Sequence, residues 1–403
     1  MSRPASAPTP AILITVYGQD TPGITSTLTH VVAENRGTLL DIEQVVVQGQ
    51  LTLCLLLSSD PEGSDPVLKE MLFAAKRMGL EMQFRLLDEV GQSVLPRAAR
   101  YAVTAIGEDL GRAGMGQITR VLAAKDANIE HIRRLSTGRL LSVEIVCSLA
   151  SEAHDLRQAL IHAVEETDID IAVQRERITR RNKRLVVMDM DSTLIQIEVI
   201  DELARMHGVV DRVAEITTRA MAGELDFEES LRARVALLEG MEVERAHELA
   251  RRLPLTQGAR DFLGVIGRLG YKTGVISGGF SFAANALKSE LGVDYAYANE
   301  LDVKDGVLTG TVRDPIVTPQ RKADLLDAIA QREGIALEQT IAVGDGANDL
   351  TMLERAGLGI AFHAKPRLRA AADTSLSAGG LDRILYLLGL HEREVTEILN
   401  EFR

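Results

Sequence analysis

Short apolar runs alternate with amphipathic stretches over the first part of this chain of 403 residues. The first run, AILITVYG at Ala11–Gly18, is typical of a strand, and a stretch with helical periodicity follows it. Two more strand-like runs, a second helical stretch and the short run EMQFRLL complete the order strand, helix, strand, strand, helix, strand. This order predicts a ferredoxin-like βαββαβ domain, which is a four-stranded antiparallel sheet with two helices on one face.

The same order of elements begins again at Arg100. Gly18-Gln19-Asp20 in the first copy is matched by Gly107-Glu108-Asp109 in the second. Such an internal repeat predicts two copies of one small domain, which we place at residues 1–96 and 97–180. The basic run QRERITRRNKR, Gln174–Arg184, follows the second copy. We interpret it as a solvated linker or strand edge in preference to a site for an acidic partner.

A different pattern begins with LVVMD, Leu185–Asp189, a continuous apolar run typical of a parallel strand buried on both faces. Similar runs occur within Tyr271–Phe280 and Gln339–Leu353. The intervening segment Glu198–Gly240 is helical throughout and interrupts the alternation of strands and helices. Residues 181–403 are therefore predicted to form an α/β domain with a Rossmann-like core and a helical cap at about 198–255.

Composition narrows the range of partners and locations. The formal net charge of −13 argues against nucleic acid as a partner, because binding to the phosphates of a nucleic-acid backbone needs a basic protein surface. No run approaches the roughly 18 apolar residues that a membrane span requires, and the first residues have no apolar segment typical of a signal peptide. We expect a cytoplasmic protein with no membrane partner, in which Cys54 and Cys147 are buried thiols.

Polar side chains follow the buried strands at their carboxyl ends. In an open α/β sheet these ends face the ligand crevice. The candidates are Asp189 and Asp191 after the first strand, Ser277 and Gly278 after the second, Lys322 at the start of a helix, and Asp345, Asn348 and Asp349 after the last strand. Carboxylates grouped with a hydroxyl, glycines and a lysine predict a site for a phosphate group and a hard cation such as Mg²⁺.

The pair Asp189 and Asp191 fits this chemistry. A divalent cation offsets their mutual repulsion, after which the two carboxyl groups can take different roles. One attacks phosphorus and carries the phosphoryl group. The other gives a proton to the leaving oxygen and then takes one from the attacking water.

The four motifs DMDST, SGG, Lys322 and GDGAND, in this order, resemble those of the haloacid dehalogenase superfamily of phosphotransferases. The sequences EVIDE from Glu198, AMAGELDFEESLRARVALL from Ala220 and VISGGF are similar to those of the phosphoserine phosphatase family. This resemblance covers roughly Arg184 to Leu388 and implies hydrolysis of O-phospho-L-serine with Mg²⁺.

The resemblance also implies a role for each matched residue. Asp189 would be the nucleophile, Asp191 the acid and base, and Lys322 the group that offsets charge beside Asp189. The metal would be held by Asp189, Asp345 and the backbone carbonyl of Asp191, supported by Asp349 and Asn348. The ammonium group of the substrate would contact Glu198, and its carboxylate would contact Arg234. Its phosphoryl group would be bound by Ser277, Gly278, Lys322 and Asn348. Met221 and Phe227 would form an apolar wall.

The sequence GQDTPGI after the first strand resembles that of ACT domains, which commonly bind amino acids and regulate attached enzymes. The resemblance implies an effector site near Gly18 and Asp20 or near Gly107 and Asp109, with L-serine as the expected effector. The second copy lacks the proline of the first. The alternative is a pair of structural or dimerising domains without a ligand, and a homo-oligomer, a dimer, is expected in either case.

Two other functions remain open from the sequence. The same motifs would serve a phosphatase for another small phosphate, such as phosphothreonine or a phosphosugar, although a sugar has no use for Glu198 and Arg234. The chain would otherwise be an amino-acid sensor with a vestigial phosphatase domain. The intact set Asp189, Asp191, Lys322 and Asp345 argues against that second alternative.

Overall fold

A computed structural model describes residues 11–58, 66–87, 99–111, 113–138, 140–150, 153–364, 368–369, 372 and 374–401. The chain forms two compact units, Met1–Arg97 and Ala98–Arg403. The first unit holds one βαββαβ domain, and the second unit holds the other βαββαβ domain together with the α/β core. Within the described ranges, no helix has the length and apolar character needed to cross a lipid bilayer.

The first unit is the predicted βαββαβ domain. Its elements are β1 (Ala11–Gln19), α1 (Ile24–Glu34), β2 (Leu39–Val47), β3 (Gln50–Ser58), α2 (Pro66–Arg77) and β4 (Glu81–Leu87). The antiparallel sheet has the order β2-β3-β1-β4. Alternate residues of β3, Leu51, Leu53, Leu55 and Leu57, are buried against the two helices. The period-two pattern of this strand therefore covers one face of the sheet only.

The second unit begins with the other copy. Its elements are β5 (Ala99–Gly107), α3 (Gly114–Ala124), β6 (Asn128–Arg134), β7 (Leu141–Leu149), α4 (Ala153–Ala163) and β8 (Asp170–Arg175). A short helix, α5 (Ile178–Arg181), leads from β8 into the α/β core. The repeat therefore folds as the sequence predicts, as two domains of the same topology.

The core of the second unit is a largely parallel sheet. Its strands are β9 (Leu185–Met188), β10 (Lys272–Phe280), β11 (Tyr295–Lys304), β12 (Val307–Arg313), β13 (Thr340–Gly344), β14 (Gly359–Phe362) and β15 (Thr374–Leu376). They lie in the order β12-β11-β10-β9-β13-β14-β15, and only β12 runs antiparallel to its neighbour in this set. The central strand β9 is apolar throughout because Leu185 and Val187 face one buried cluster while Val186 and Met188 face another.

Helices cover both faces of this sheet. They are α10 (Ala259–Arg268), α11 (Ser281–Leu291), α12 (Pro319–Glu333) and α13 (Leu350–Arg355), followed by two C-terminal helices, Ile384–Leu387 and Glu392–Asn400. The segment after β9 forms the predicted helical cap with α6 (Val199–His207), α7 (Val210–Met221), α8 (Phe227–Ala236) and α9 (Val243–Ala250). The predicted fold class is confirmed.

One feature of the sheet is absent from the sequence prediction. The edge strand β8 of the second βαββαβ domain pairs antiparallel with β15, through Thr374 and Ala172. The two sheets therefore join into one sheet of eleven strands. The side chain of Thr374 strengthens the junction by donating a hydrogen bond to the carbonyl oxygen of Ile171, at 3.1 Å.

Candidate active site

The carboxyl ends of β9, β10 and β13 meet at one edge of the sheet, because these strands are parallel neighbours. Asp189 directly follows β9 and Asp345 directly follows β13, while Ser277 and Gly278 lie near the end of β10. Asp189 is buried, and its Oδ1 accepts a hydrogen bond from the backbone N–H of Met190 at 2.8 Å. The topology thus brings together residues that are far apart in the sequence.

Three carboxylates and one ammonium group form the centre of this site. Asp189, Asp345 and Asp349 each place one oxygen within 4.8 Å of the others. The Nζ of Lys322 lies 2.9 Å from Asp189 and 2.7 Å from Asp349, and Lys322 is fully buried. Burial alone lowers the pKa of Lys322, but Asp189 and Asp349 raise it above its ordinary value, so the ammonium group stays charged.

The three carboxylates would carry more negative charge than the single ammonium group can neutralise. The pKa values of Asp345 and Asp349 are therefore raised. Burial, followed by the charge of Asp189, raises the pKa of Asp345 to about 7 against a hydrogen bond of 3.0 Å from Thr193 Oγ1. Burial and Asp189 also raise the pKa of Asp349 to about 7. Oxygen donors carrying this excess of negative charge fit a hard divalent cation, which removes the cost of ionising them together.

The side chain of Asp191 lies outside this group of three. Its Oδ1 accepts a hydrogen bond from the backbone N–H of Val199 at 3.2 Å. Burial, and then the charges of Glu198 and Asp189, raise the pKa of Asp191 well above its ordinary value. The two aspartates of the DMDST motif therefore differ in their surroundings: Asp189 contacts Lys322, while Asp191 accepts from Val199 and has a pKa raised above its ordinary value.

A cavity of about 210 Å³ lies between this edge of the sheet and the cap. The sheet side contributes Asp189, Asp191, Ser277, Gly278, Gly279, Phe280, Asp345 and Asn348, and the cap side contributes Glu198, Ile200, Phe227, Leu231 and Arg234. Every residue predicted to contact substrate lines this cavity except Lys322 and Met221. Lys322 lies behind Asp189, where the ion pair holds it.

Met221 is not placed as predicted. It is the last residue of α7, is 68% exposed and lies outside the cavity lining. The helix ends there and Gly223 turns the chain with a positive φ, which leaves the Met221 side chain at the exposed end of the helix. In the structure the apolar wall consists of Ile200, Phe227 and Leu231 instead.

Arg234 and Glu198 are not a surface ion pair. Among the residues that the structure describes, neither forms a salt bridge. The Nε of Arg234 donates to the carbonyl oxygen of Ser230 at 3.3 Å, and Glu198 accepts a hydrogen bond of 2.8 Å from Ser192 Oγ. A cation and an anion thus both line the cavity without neutralising each other directly.

Asn299, a buried residue in β11, supports the site from behind and was not among the residues predicted from the sequence. It is 1% exposed, its Nδ2 donates to the carbonyl oxygen of Gly278 at 2.7 Å, and its Oδ1 accepts from the backbone N–H of Val317 at 2.7 Å. The side chain therefore joins the glycine pair near the end of β10 to the segment that leads into α12 and Lys322. Its only signal in the sequence is one amide in the strand YAYANELDVK.

The candidate effector positions have a structural reason for glycine. A Cβ at Gly18 would come within 2.7 Å of the Leu80 side chain, and one at Gly107 within 2.8 Å of the Asp168 carbonyl oxygen. The residues just before β4 and β8 pack closely against these two glycines. Asp20 and Asp109 are exposed, and the backbone N–H of Asp20 donates to the carbonyl oxygen of Gly49. An amino-acid site here stays a prediction.

Comparison with known proteins agrees with this architecture. Residues 186–354 match the haloacid dehalogenase-like hydrolase family, and residues 11–85 and 99–174 each match an ACT domain family. The fold and the site thus define a haloacid dehalogenase-like hydrolase with two ACT domains.

Phosphoserine phosphatase from Streptomyces coelicolor is 42% identical over 98% of this chain and 96% of its own length. Phosphoserine phosphatase SerB2 from Mycobacterium tuberculosis is 41% identical over 96% of this chain and 94% of its own. A crystal structure of a probable phosphoserine phosphatase from Vibrio cholerae superposes with a TM-score of 0.57 at 34% identity, covering 76% of this chain and 89% of that one. The chain belongs to the phosphoserine phosphatase family.

Proposed function

We propose that this chain hydrolyses O-phospho-L-serine to L-serine and phosphate with Mg²⁺. The observation that carries the proposal is the placement of Arg234 and Glu198 in the cap. Both line the cavity above Asp189, and neither forms a salt bridge among the described residues. An amino acid brings one carboxylate for the guanidinium fork and one ammonium group for the glutamate.

The phosphoryl end of the substrate fits the sheet side of the cavity. Ser277 and Gly278 supply a hydroxyl and backbone N–H groups, and Asn348 lies at the same edge. Lys322 offsets charge from behind Asp189, which it contacts at 2.9 Å. Asn299 holds the Gly278 turn in place through its hydrogen bond to the Gly278 carbonyl oxygen.

The reaction follows from the positions of the two aspartates. A carboxylate oxygen of Asp189 attacks phosphorus in line, and the bond from phosphorus to the serine oxygen breaks. Asp191 donates a proton to that oxygen and releases L-serine. Asp191 then takes a proton from water, which attacks phosphorus on the phosphoaspartate, so that phosphate leaves and Asp189 is restored.

The residues present fit a Mg²⁺ ion. Asp189 and Asp345, with the backbone carbonyl of Asp191, would hold it, and Asp349 and Asn348 would support it. Asp349 belongs to the same group of three carboxylates, but its oxygens also bind Lys322 and the backbone N–H of Gly346. When bound, the cation withdraws charge from the phosphoryl oxygens and offsets the repulsion among the carboxylates.

Other phosphate esters are weaker candidates. A phosphosugar offers no group for Glu198 or Arg234. Phosphothreonine keeps both groups but adds a methyl that would have to fit beside Ile200, Phe227 or Leu231 on the apolar wall. A vestigial site would not be expected to keep Asp189, Asp345 and Asp349 grouped within 4.8 Å of one another, with Lys322 paired to Asp189 and Asp349.

We also propose that L-serine regulates the enzyme through the ACT domains, in a cytoplasmic homodimer. Feedback by the product requires that serine bind one state of the protein better than another. Inhibition by serine should then be weaker in a variant that carries both Gly18→Ala and Gly107→Ala than in the unaltered chain. Equal inhibition of both would assign the effect to product competition at the active site.

A phosphate-release assay tests the proposed activity. The full chain with Mg²⁺ should release phosphate from phosphoserine faster than from phosphothreonine, and much faster than from an aryl phosphate. EDTA should stop the reaction, and added Mg²⁺ should restore it. Equal rates on all three substrates would contradict recognition of an amino acid by the cap.

A further inference from the structure

The basic run Gln174–Arg184 lies at the junction between the second ACT domain and the α/β core. Some of its charged residues form ion pairs, and others bind backbone carbonyl oxygens or are exposed. Arg180 and Arg181 bind Glu144 and Glu176, with Arg180 Nη2 at 2.7 Å from Glu144 Oε2. Lys183 Nζ donates to the carbonyl oxygen of Glu338 at 2.7 Å. The sequence predicted a solvated linker or strand edge. Gln174 and Arg175 belong to the strand β8, but the part of the run with Arg180 and Lys183 is built into the junction.

A cavity of about 230 Å³ lies beside this run. The run lines one side with four basic residues, Arg175, Arg177, Arg180 and Lys183, and the core lines the other side with Glu338, Gly357 and Leu358. These core residues precede β13 and β14, at the amino ends of those strands. The active site is at the carboxyl ends of the same sheet, so the two cavities are separate.

The charge of this cavity is not balanced by its own lining. Glu338 is the one acidic residue in the lining, against four basic residues, of which Arg180 is paired with Glu144 and Glu176 outside the lining. Arg175 and Arg177 are exposed, and neither forms a salt bridge with any residue that the structure describes. In a chain with a formal net charge of −13, such a concentration of positive charge is a local exception.

The buried guanidinium group of Arg180 also indicates a binding site in this cavity. It is 3% exposed, and its Nη1 has no hydrogen-bond partner among the described residues, although Nε and Nη2 bind Glu176 and Glu144. A buried donor without an acceptor is unfavourable, so the site has an unused hydrogen bond to offer. An acceptor that enters beside Arg180 would use it.

We propose that this cavity binds a phosphate group. Guanidinium groups offer paired donors that match phosphate oxygens, and three arginines line one small cavity here. The phosphate would come from inorganic phosphate or from a phosphate monoester. Either ligand would contact the second ACT domain through Arg175 and the core through the residues before β13 and β14, and would stabilise their junction.

Isothermal titration calorimetry of the full chain, with inorganic phosphate and separately with adenosine monophosphate, tests the proposal. The test protein is a double variant with Arg175→Gln and Arg177→Gln. Both positions are exposed, so we expect the variant to keep the fold. Arg184→Gln is the matched control, because Arg184 is exposed and belongs to the same run but does not line the cavity. The active site is intact in every protein, so phosphate binding there contributes equally to all titrations.

We expect the double variant to lose one class of phosphate binding, weakened by about tenfold or more, while Arg184→Gln changes it by less than about twofold. Binding of inorganic phosphate alone would identify the free anion, and binding of adenosine monophosphate alone would identify a monoester. Unchanged binding in the double variant would overturn the proposal. Equal weakening by Arg184→Gln would also overturn it, since it would indicate a diffuse effect of net charge.

Discussion

The two ACT domains share a topology but differ in how many faces of their sheets are buried. In β3 of the first domain buried residues alternate with exposed or half-exposed ones, whereas in β7 of the second domain nearly every residue is buried. The pairing register matches Cys54 to Glu144, since these residues face Thr15 and Thr104 in equivalent strands. Cys54 is a half-buried thiol, whereas Glu144 is fully buried.

Glu144 shows how the second domain joins the enzyme. It binds Arg180 of α5 and Arg133 of β6, and Arg133 also donates to the carbonyl oxygen of Gly389 near the C-terminus. Gln174 of β8 reaches the carbonyl oxygen of Leu387 at 3.0 Å. A repeated sequence thus predicts the fold of each copy, while a few polar residues determine which copy is packed into the enzyme.

Replacement of Asp189 is expected to give the largest effect and to localise the chemistry in the second unit. Asp189→Asn should lower phosphoserine turnover by about 10⁴-fold or more and leave no phosphoenzyme, because the nucleophile is gone. Asp20→Asn in the first domain is the control and should keep turnover in the absence of effector. Trapping of covalent phosphate on the Asp189→Asn protein would contradict the assignment.

The difference in burial between the two ACT domains is tested most directly at Glu144 and Cys54. Glu144→Ala leaves Arg180 buried with less compensation, and removing one partner of a buried ion pair costs about 3–5 kcal/mol. Cys54→Ala at the equivalent position should cost within about 1 kcal/mol. Urea unfolding followed by circular dichroism measures both values. Similar costs would mean that Glu144 does not anchor the second domain.

A cap variant separates recognition from packing. Arg234→Ala should reduce phosphoserine turnover by about 30-fold or more, since truncating one partner of a buried charged hydrogen bond costs about 2–5 kcal/mol. An aryl phosphate without a carboxylate should be much less affected. Arg232→Ala is the matched control on the same helix, where Arg232 binds Glu228 and Asp314. Equal losses on both substrates would assign Arg234 to the stability of the cap.

The smallest expected effects concern the outer strands of the two domains. The register matches Phe84 in β4 to Val173 in β8, but Phe84 is 57% exposed and Val173 is 8% exposed. Val173→Ala should lower the free energy of unfolding by about 1–3 kcal/mol, and Phe84→Ala by less than about 1 kcal/mol. Thermal unfolding of the two variants checks the order, and a larger cost for Phe84→Ala would show that a partner covers β4.

Much of the site follows from local sequence, because Asp189 and Asp345 stand directly after buried strands. Asp189 and Asp345 could be placed at one edge of the sheet from the sequence alone, since parallel strands bring their carboxyl ends together. The repeat likewise predicted both βαββαβ folds. These features depend on patterns within a few adjacent residues.

The features that the sequence missed depend on pairs that are distant along the chain. The strand β15 has three residues and no usable periodicity, so nothing in Thr374–Leu376 indicates a partner in β8. Asn299 has no motif around it, and its role depends on Gly278 and Val317 meeting at its side chain. Met221 fits the family pattern in sequence, yet the helix end leaves it exposed.

The shared sheet has a consequence for synthesis on the ribosome. The outer edge of β8 is complete only when Thr374 binds Ile171, and Thr374 is made 203 residues later. Until then the second ACT domain presents an unpaired strand edge to other nascent chains, whereas the first domain can finish its sheet within its own sequence. Loss of the segment from Thr374 onward would therefore expose a strand edge of the second ACT domain as well as one of the α/β core.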